Sequence, residues 1–402
     1  MVRRTLLAVV AVSLVSACGT SPATTTSTPV IDVAKLDSGN YPTTPNDLSL
    51  LRVPDAANLL EAIRIGAVSP LTIDYDPRFA HAKGQAGGGF SADHAVAIPG
   101  TDVNGRDFNT VFPGLIAGWA SYSSRREELN AGRQFNALTM RFDSPERARA
   151  TSDELTKRSQ GDPVQIAGYP DAVARQYLKS QPYRYQALRT WLVKDDMIVF
   201  AEVFDPISMP FDLAANGSIA KAHFDAQLAG LQKYTPTPVA ELSKLPLDTE
   251  DLLSHTLPYA DQAEYKLKTA HGEGVYPAQA ALHTISKRGK LKAAFADSGV
   301  DYVSVFQSEV YRARDNAAAI RLQAALESSI PDTTEVMRTD GPPNFEGAHC
   351  YIVKPEVKSP SYSTRPTCYG SVGRYTFITN TANIGDARQQ LAAQYKLLAG
   401  KG

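Results

Sequence analysis

Apolar positions along this 402-residue chain recur at two spacings, every three to four residues and every second residue, and the switches between them mark its elements. Ala56, Leu59, Leu60, Ala62 and Ile63 lie at helical spacing behind Asp55, which can cap the helix, and Gly66 supplies a stop. A strand is expected near Leu71 to Tyr75, and the glycine-rich stretch Lys83 to Phe90 reads as a loop. Val111-Phe112-Pro113 opens a helix-like run of small and apolar residues that ends around Asn130 to Arg133. Phe135 to Phe142 then alternates as a strand, with Leu138, Met140 and Phe142 on one side. In Asp143-Ser144-Pro145-Glu146, Ser144 caps a helix and Pro145 takes its first position, and the helix runs toward Arg158. Strands at Leu188 to Val193 and Met197 to Phe204 are joined by Lys194-Asp195-Asp196 as a tight hairpin turn, and a helix follows from Ser218 to Tyr234.

The second half repeats this order. Val275-Tyr276-Pro277 opens another helix-like stretch, Tyr302 to Tyr311 reads as a strand, and Asp315 to Ser328 is an amphipathic helix. Strands follow at His349 to Val353 and Cys368 to Thr379, and the last helix spans Asp386 to Leu398. The shared Val-aromatic-Pro start and the repeated order point to internal duplication. The expected fold class is α+β: two similar domains, residues 36–240 and 241–402, each a mainly antiparallel sheet with helices packed on one face.

The amino terminus follows different rules. Arg3 and Arg4 precede a short apolar run, Leu6 to Val15, which falls well below the roughly 20 residues of a spanning helix. That run ends in Val15-Ser16-Ala17-Cys18, so residues 1–17 read as a secretory signal. The pattern resembles the lipobox of bacterial lipoproteins, and the resemblance implies a diacylglycerol thioether on Cys18, cleavage before it and acylation of the new amine. Two or three acyl chains hold durably where one holds marginally. Residues 18–35 include Thr24, Thr25, Thr26, Ser27 and Thr28, too polar to build a core, and read as a flexible tether.

Cleavage removes Arg3 and Arg4 and leaves 39 basic against 42 acidic residues, moving the net charge from −1 to −3. No nucleic-acid partner is expected from that balance or from any local basic cluster. With Cys18 assigned to lipid, Cys350 and Cys368 remain as an even pair in an exported chain, which predicts a disulfide. Each cysteine begins a strand. If the strands are antiparallel neighbours, two starts do not meet, so the bond is expected to clip the loop rather than cross the ladder.

Candidate chemistry is sparse. No Gly-x-Ser-x-Gly is present; Gly370-Ser371-Val372-Gly373 is one residue short. The seven histidines, His81, His94, His223, His255, His271, His283 and His349, lack paired ligand spacing, so neither a metal nor another cofactor is expected. The aromatic-rich stretch with Tyr169, Tyr177, Tyr183, Tyr185 and Trp191 supplies the candidate ligand or partner contacts.

The lipobox, the segment Leu36-Asp37-Ser38-Gly39-Asn40-Tyr41-Pro42-Thr43-Thr44-Pro45 and the duplicated body resemble an uncharacterised family of actinobacterial lipoproteins of the mycobacterial and nocardial type. The resemblance implies a cell-envelope location and carries no catalytic residues. The expected protein is non-enzymatic and exported, anchored to the outer face of the cytoplasmic membrane, and binds a protein partner or an envelope glycolipid. Two alternatives are a lipid carrier with an apolar pocket between sheet and helices, and a hydrolase whose site is assembled from distant residues.

Overall fold

The computed structural model describes residues 31–53, 55–82, 87–128, 130–181, 184–259, 272–330, 335–354, 357 and 365–401. Cys18, the leader and nearly all of the tether lie outside them, as do Tyr183 and His271. Residues Asp32–Gly402 form one compact unit.

The run of small residues after Pro113, expected to be helical, is instead strand β2 (Leu115–Ser124), with nine of its ten positions buried. Its small side chains serve close approach rather than helix propensity. A Cβ on Gly118 would lie 2.2 Å from the ring of Phe90 on β1 (Gly88–Phe90), the strand that pairs beside it. Trp119, on the alternate face, lies over Gly66 of α1 (Ala56–Val68), where a Cβ would meet the indole at 2.5 Å. Gly66 therefore sits inside the helix and does not end it. Leu71 to Tyr75 is likewise no strand but contains a single 3-10 turn, Thr72–Asp74, and β1 converts the end of the expected glycine loop into a sheet edge.

The first sheet continues through β3 (Gln134–Phe142), β4 (Asp162–Pro163), β5 (Val173–Lys179), β6 (Tyr185–Lys194) and β7 (Met197–Asp205), in the antiparallel order β1-β2-β3-β7-β6-β5-β4. A short helix α2 (Phe108–Val111) precedes β2. Alternation divides the core. Leu138, Met140, Ile198 and Phe200 pack with Ala148 and Leu155 of α3 (Pro145–Arg158), which starts on the Ser144 cap. Ala137, Val199, Ala201 and Val203 pack with Ile219, Ala220 and Phe224 of α4 (Leu213–Leu231).

The second sheet has β8 (Gly274–Pro277), β9 (Tyr302–Val305), β10 (Glu309–Arg312), β11 (Val336–Asp340), β12 (His349–Val353), β13 (Thr367–Val372) and β14 (Tyr375–Asn380). Its antiparallel order, β8-β9-β10-β14-β13-β12-β11, repeats that of the first sheet strand for strand. After the third strand comes α7 (Asn316–Glu327), the counterpart of α3, and after the seventh comes α8 (Ile384–Leu398), the counterpart of α4. The helix expected at Val275 is strand β8, with α5 (Ala278–Thr284) and α6 (Arg288–Ser298) behind it. Tyr302 to Tyr311 and Cys368 to Thr379 are each a hairpin rather than one strand. The protein is thus α+β with two seven-stranded antiparallel sheets and helices.

Cys350 and Cys368 stand directly opposite each other in the β12–β13 ladder and are bonded, with Cα atoms 4.0 Å apart. The expectation of a loop clip fails because β12 runs two residues past the start of β13. Only residues 349–351 and 367–369 pair, so the second residue of each strand falls opposite the other.

The halves share a core. Trp119 and Ile63 of the first pack in one cluster with Ala281, Leu291 and Tyr311 of the second. Polar groups seal the contact: His283 bonds to Ser121 Oγ (2.8 Å) and the Ser69 carbonyl (3.1 Å), while fully buried Arg288 donates to the Tyr122 carbonyl and Ser123 Oγ (2.8 and 2.9 Å).

Candidate functional site

The register of the second sheet builds a cavity. Tyr276, Val303 and Tyr311 form one cross-strand row, and Val305, Glu309, Ile378 and Tyr369 form the next on the same face. Above this floor, Ala281 and Thr284 of α5, Leu291 of α6 and Leu326 of α7 complete a space of about 260 Å3. A second space of about 240 Å3 shares Leu326, Ser329 and Tyr369 with it and extends toward Ile330, Tyr351 and Ile352. Together they fall within the roughly 300–1,000 Å3 of small-molecule sites.

Glu309 is the one carboxyl among the described residues of that lining. Flanked by Val305 and Ile378 in the ladder, it is deprived of water, and this raises its pKa, although the Tyr311 hydroxyl donates to it at 2.5 Å and pulls the other way. A carboxyl poised toward its neutral form can both donate and accept a hydrogen bond. Nearby, Glu327 accepts from Gln323, from Tyr351 at 2.9 Å and bonds His349 Nδ1 at 2.9 Å, so it is occupied in holding α7 to β12. The wall of this space is largely apolar and aromatic, with the Glu309 carboxyl in its floor and Arg365 at the far end of the second space. That arrangement suits a greasy ligand with one polar function.

The aromatic stretch singled out from sequence is dispersed. Tyr169 donates to Asp225 at 2.7 Å and packs edge-on against Phe224 of α4. Tyr177 and Tyr185 do meet, with ring centroids 5.9 Å apart on adjacent strands, and Tyr185 also packs on Phe204. Trp191 is fully buried beneath α3, where its Nε1 donates to Ser152 Oγ at 3.1 Å. Tyr183 lies outside the described residues. The tyrosines that do line the two spaces, Tyr276, Tyr311, Tyr351 and Tyr369, lie outside that stretch, and the sequence marked Tyr276 and Tyr311 only as element boundaries. Glu309 could have been found there, as a charged residue on the two-residue period of Val303, Val305 and Tyr311.

Ser121 and His283 are at hydrogen-bond distance, but both are buried in the contact between the halves. Burial, with the Arg288 charge adding to it, lowers the His283 pKa to about 3. Ser91 Oγ and His94 Nδ1 both bond to Asp55 Oδ2, at 2.7 and 3.1 Å, which places the acid between them rather than the imidazole. Among the described residues no group of three His, Cys, Asp or Glu side chains could hold a metal ion, and no helix is long and apolar enough to cross a membrane.

The fold defines a class: a tandem α+β protein with one topology used twice. Residues 51–247 match the family model described as "Domain of unknown function (DUF7373) N-terminal", and residues 252–401 match its C-terminal counterpart. The chain belongs to this family. No curated protein matches it. A solved structure, the extracellular domain of PknH from Mycobacterium tuberculosis, is similar over 42% of this chain and 96% of that one, at 15% identity and a TM-score of 0.30, too slight a likeness to carry an argument.

Proposed function

We propose that this protein is an exported, lipid-anchored envelope protein whose C-terminal half binds an apolar ligand bearing one polar group, such as an acyl portion of an envelope glycolipid. The observation that carries the reading is the Glu309 carboxyl set into the floor of a largely apolar, tyrosine-walled space between the second sheet and α5–α7. The disulfide supports an oxidising compartment outside the cytoplasm. The lipobox supports an anchor at Cys18. The buried Ser121–His283 pair, closed to substrate, weighs against the hydrolase alternative.

Native protein purified from membranes is expected to carry a co-purifying lipid, read by mass spectrometry. Ala281→Trp fills the cavity and is expected to empty it of lipid while leaving the far-ultraviolet circular dichroism intact. Equal lipid occupancy in the Ala281→Trp variant would refute the site. Cys18→Ser is expected to abolish lipid mass on the chain, and unchanged mass and membrane partitioning would refute the anchor.

A further inference from the structure

A second site stands at one end of the first sheet, built from three segments far apart in sequence. Arg125, Arg126 and Arg133 lie on the connection between β2 and β3, Arg78 follows the 3-10 turn at Thr72–Asp74, and Ile207 and Ser208 come from the loop after β7. Together they line a cavity of about 510 Å3.

Four guanidiniums meet here with too few carboxylates. Asp76 serves two at once: Arg78 bonds it through Nε and Nη2, both at 2.8 Å, and Arg125 Nη2 bonds it at 2.6 Å. Arg133 bonds Asp205 at 2.7 Å, Ser208 Oγ at 3.0 Å and the rim residue Asp212 at 3.3 Å. Arg126 has no carboxylate partner among the described residues, and its stem passes over Gly132, where a Cβ would stand 2.8 Å from it. Arg125 is held in place by the Phe79 ring, 4.8 Å beneath it, and its buried Nε finds no acceptor among the described residues. Burial, reinforced by the Arg78 and Arg133 charges, lowers the Arg125 pKa despite Asp76. The result is a set of fixed donors with like charges left in opposition, the arrangement that an oxyanion relieves.

The surroundings indicate where that anion comes from. The same loop exposes Ile207 and Met209, at 55% and 72%, in a surface where large apolar side chains are otherwise mostly covered. Guanidiniums next to protruding apolar side chains match a lipid, whose phosphate sits beside its acyl chains. We propose that this arginine cavity binds the phosphate of an anionic phospholipid, with Ile207 and Met209 contacting its acyl chains. The site is separate from the Glu309 cavity and does not depend on the reading given for it.

The test is calorimetric titration of the full chain with two probes, inorganic phosphate and monomeric dihexanoyl phosphatidylglycerol. The lipid is expected to bind at least tenfold more tightly than phosphate. Arg78→Gln with Arg126→Gln is expected to weaken both at least tenfold, whereas Ile207→Ser with Met209→Ser removes only the advantage of the lipid. Arg126 and the two apolar side chains have no side-chain partner among the described residues, and Arg78 is exposed and leaves Asp76 still paired with Arg125 when it is replaced, so these variants keep the fold. Ala281→Trp is expected to change neither affinity at this site. Lipid binding that survives the double arginine change overturns the site, and binding of phosphate as tightly as lipid overturns the lipid assignment.

Discussion

Two buried imidazoles make this fold acid-sensitive. His223 sits among Tyr75, Phe135 and Phe224, with Nδ1 at 3.1 Å from the Tyr75 hydroxyl and a buried Nε2 that has no partner among the described residues. His283 is sealed between the halves beside Arg288. Burial lowers both pKa values from 6.5 to about 3. Because the folded state favours neutral imidazole, this stability is complete above 6.5 and is lost as the pH falls toward 3. At pH 5 the unfolded imidazoles are largely protonated and the folded ones are not, so linkage gives a loss of about 2 kcal/mol for each and about 4 kcal/mol for the pair. That is a large share of a typical stability of about 5–15 kcal/mol. Glu309 acts in the opposite sense. Its raised pKa means stability is lost as pH rises through it and regained on acidification, so the slope should be measured in a Glu309→Gln background. Urea unfolding at pH 7 and pH 5 is the assay. His223→Gln and His283→Gln should each remove about half the difference. Equal stability at the two pH values, or a folded-state His223 resonance titrating near 6.5, would refute the reasoning.

Replacing both Cys350 and Cys368 with serine opens a link of sequence separation 18, and loop entropy predicts a loss of about 3 kcal/mol, measurable as a lower denaturation midpoint. Glu61 is fully buried on α1, where it accepts from Arg141 at 2.7 Å, from the Tyr234 hydroxyl and from Thr237 Oγ1 at 2.7 Å, tying α1 to β3 and to the chain after α4. Glu61→Ala leaves Arg141 with Asp196 alone, at 3.1 Å, and unpairs the buried Thr237 donors, and should destabilise by about 3 kcal/mol in the same assay, with Glu61→Gln milder.

Local signals hold where the cap bond forms, which excludes Asp55, whose carboxylate turns to Ser91 and His94 and makes no cap bond. Ser144 before Pro145 and Asp315 before Ala318 mark helix starts because each side-chain oxygen accepts from a backbone N–H three residues on, and no other part of the chain is needed. The hairpin at Asp195, which adopts a left-handed φ of 54°, is likewise set by short-range geometry. The duplication was legible, but its expected landmark was not: Val111-Phe112-Pro113 precedes β2, whereas Val275-Tyr276-Pro277 lies in β8, the counterpart of β1. The duplication became a repeated strand order only in three dimensions.

Other features were decided by partners distant in sequence. Small residues in β2 look helical because helix and close-packed strand both tolerate them, and only Phe90, Trp119 and Gly66 coming together selects the strand. Arg78, Arg125 and Ser208 are unremarkable surface types until three loops place them around one space. Glu309 is an ordinary acid in the sequence, and its pKa is raised because cross-strand pairing buries it between Val305 and Ile378. Caps and turns act over a few bonds and are written in consecutive residues. Burial, charge crowding and cavity shape are sums over the whole fold, and only tertiary packing could set them.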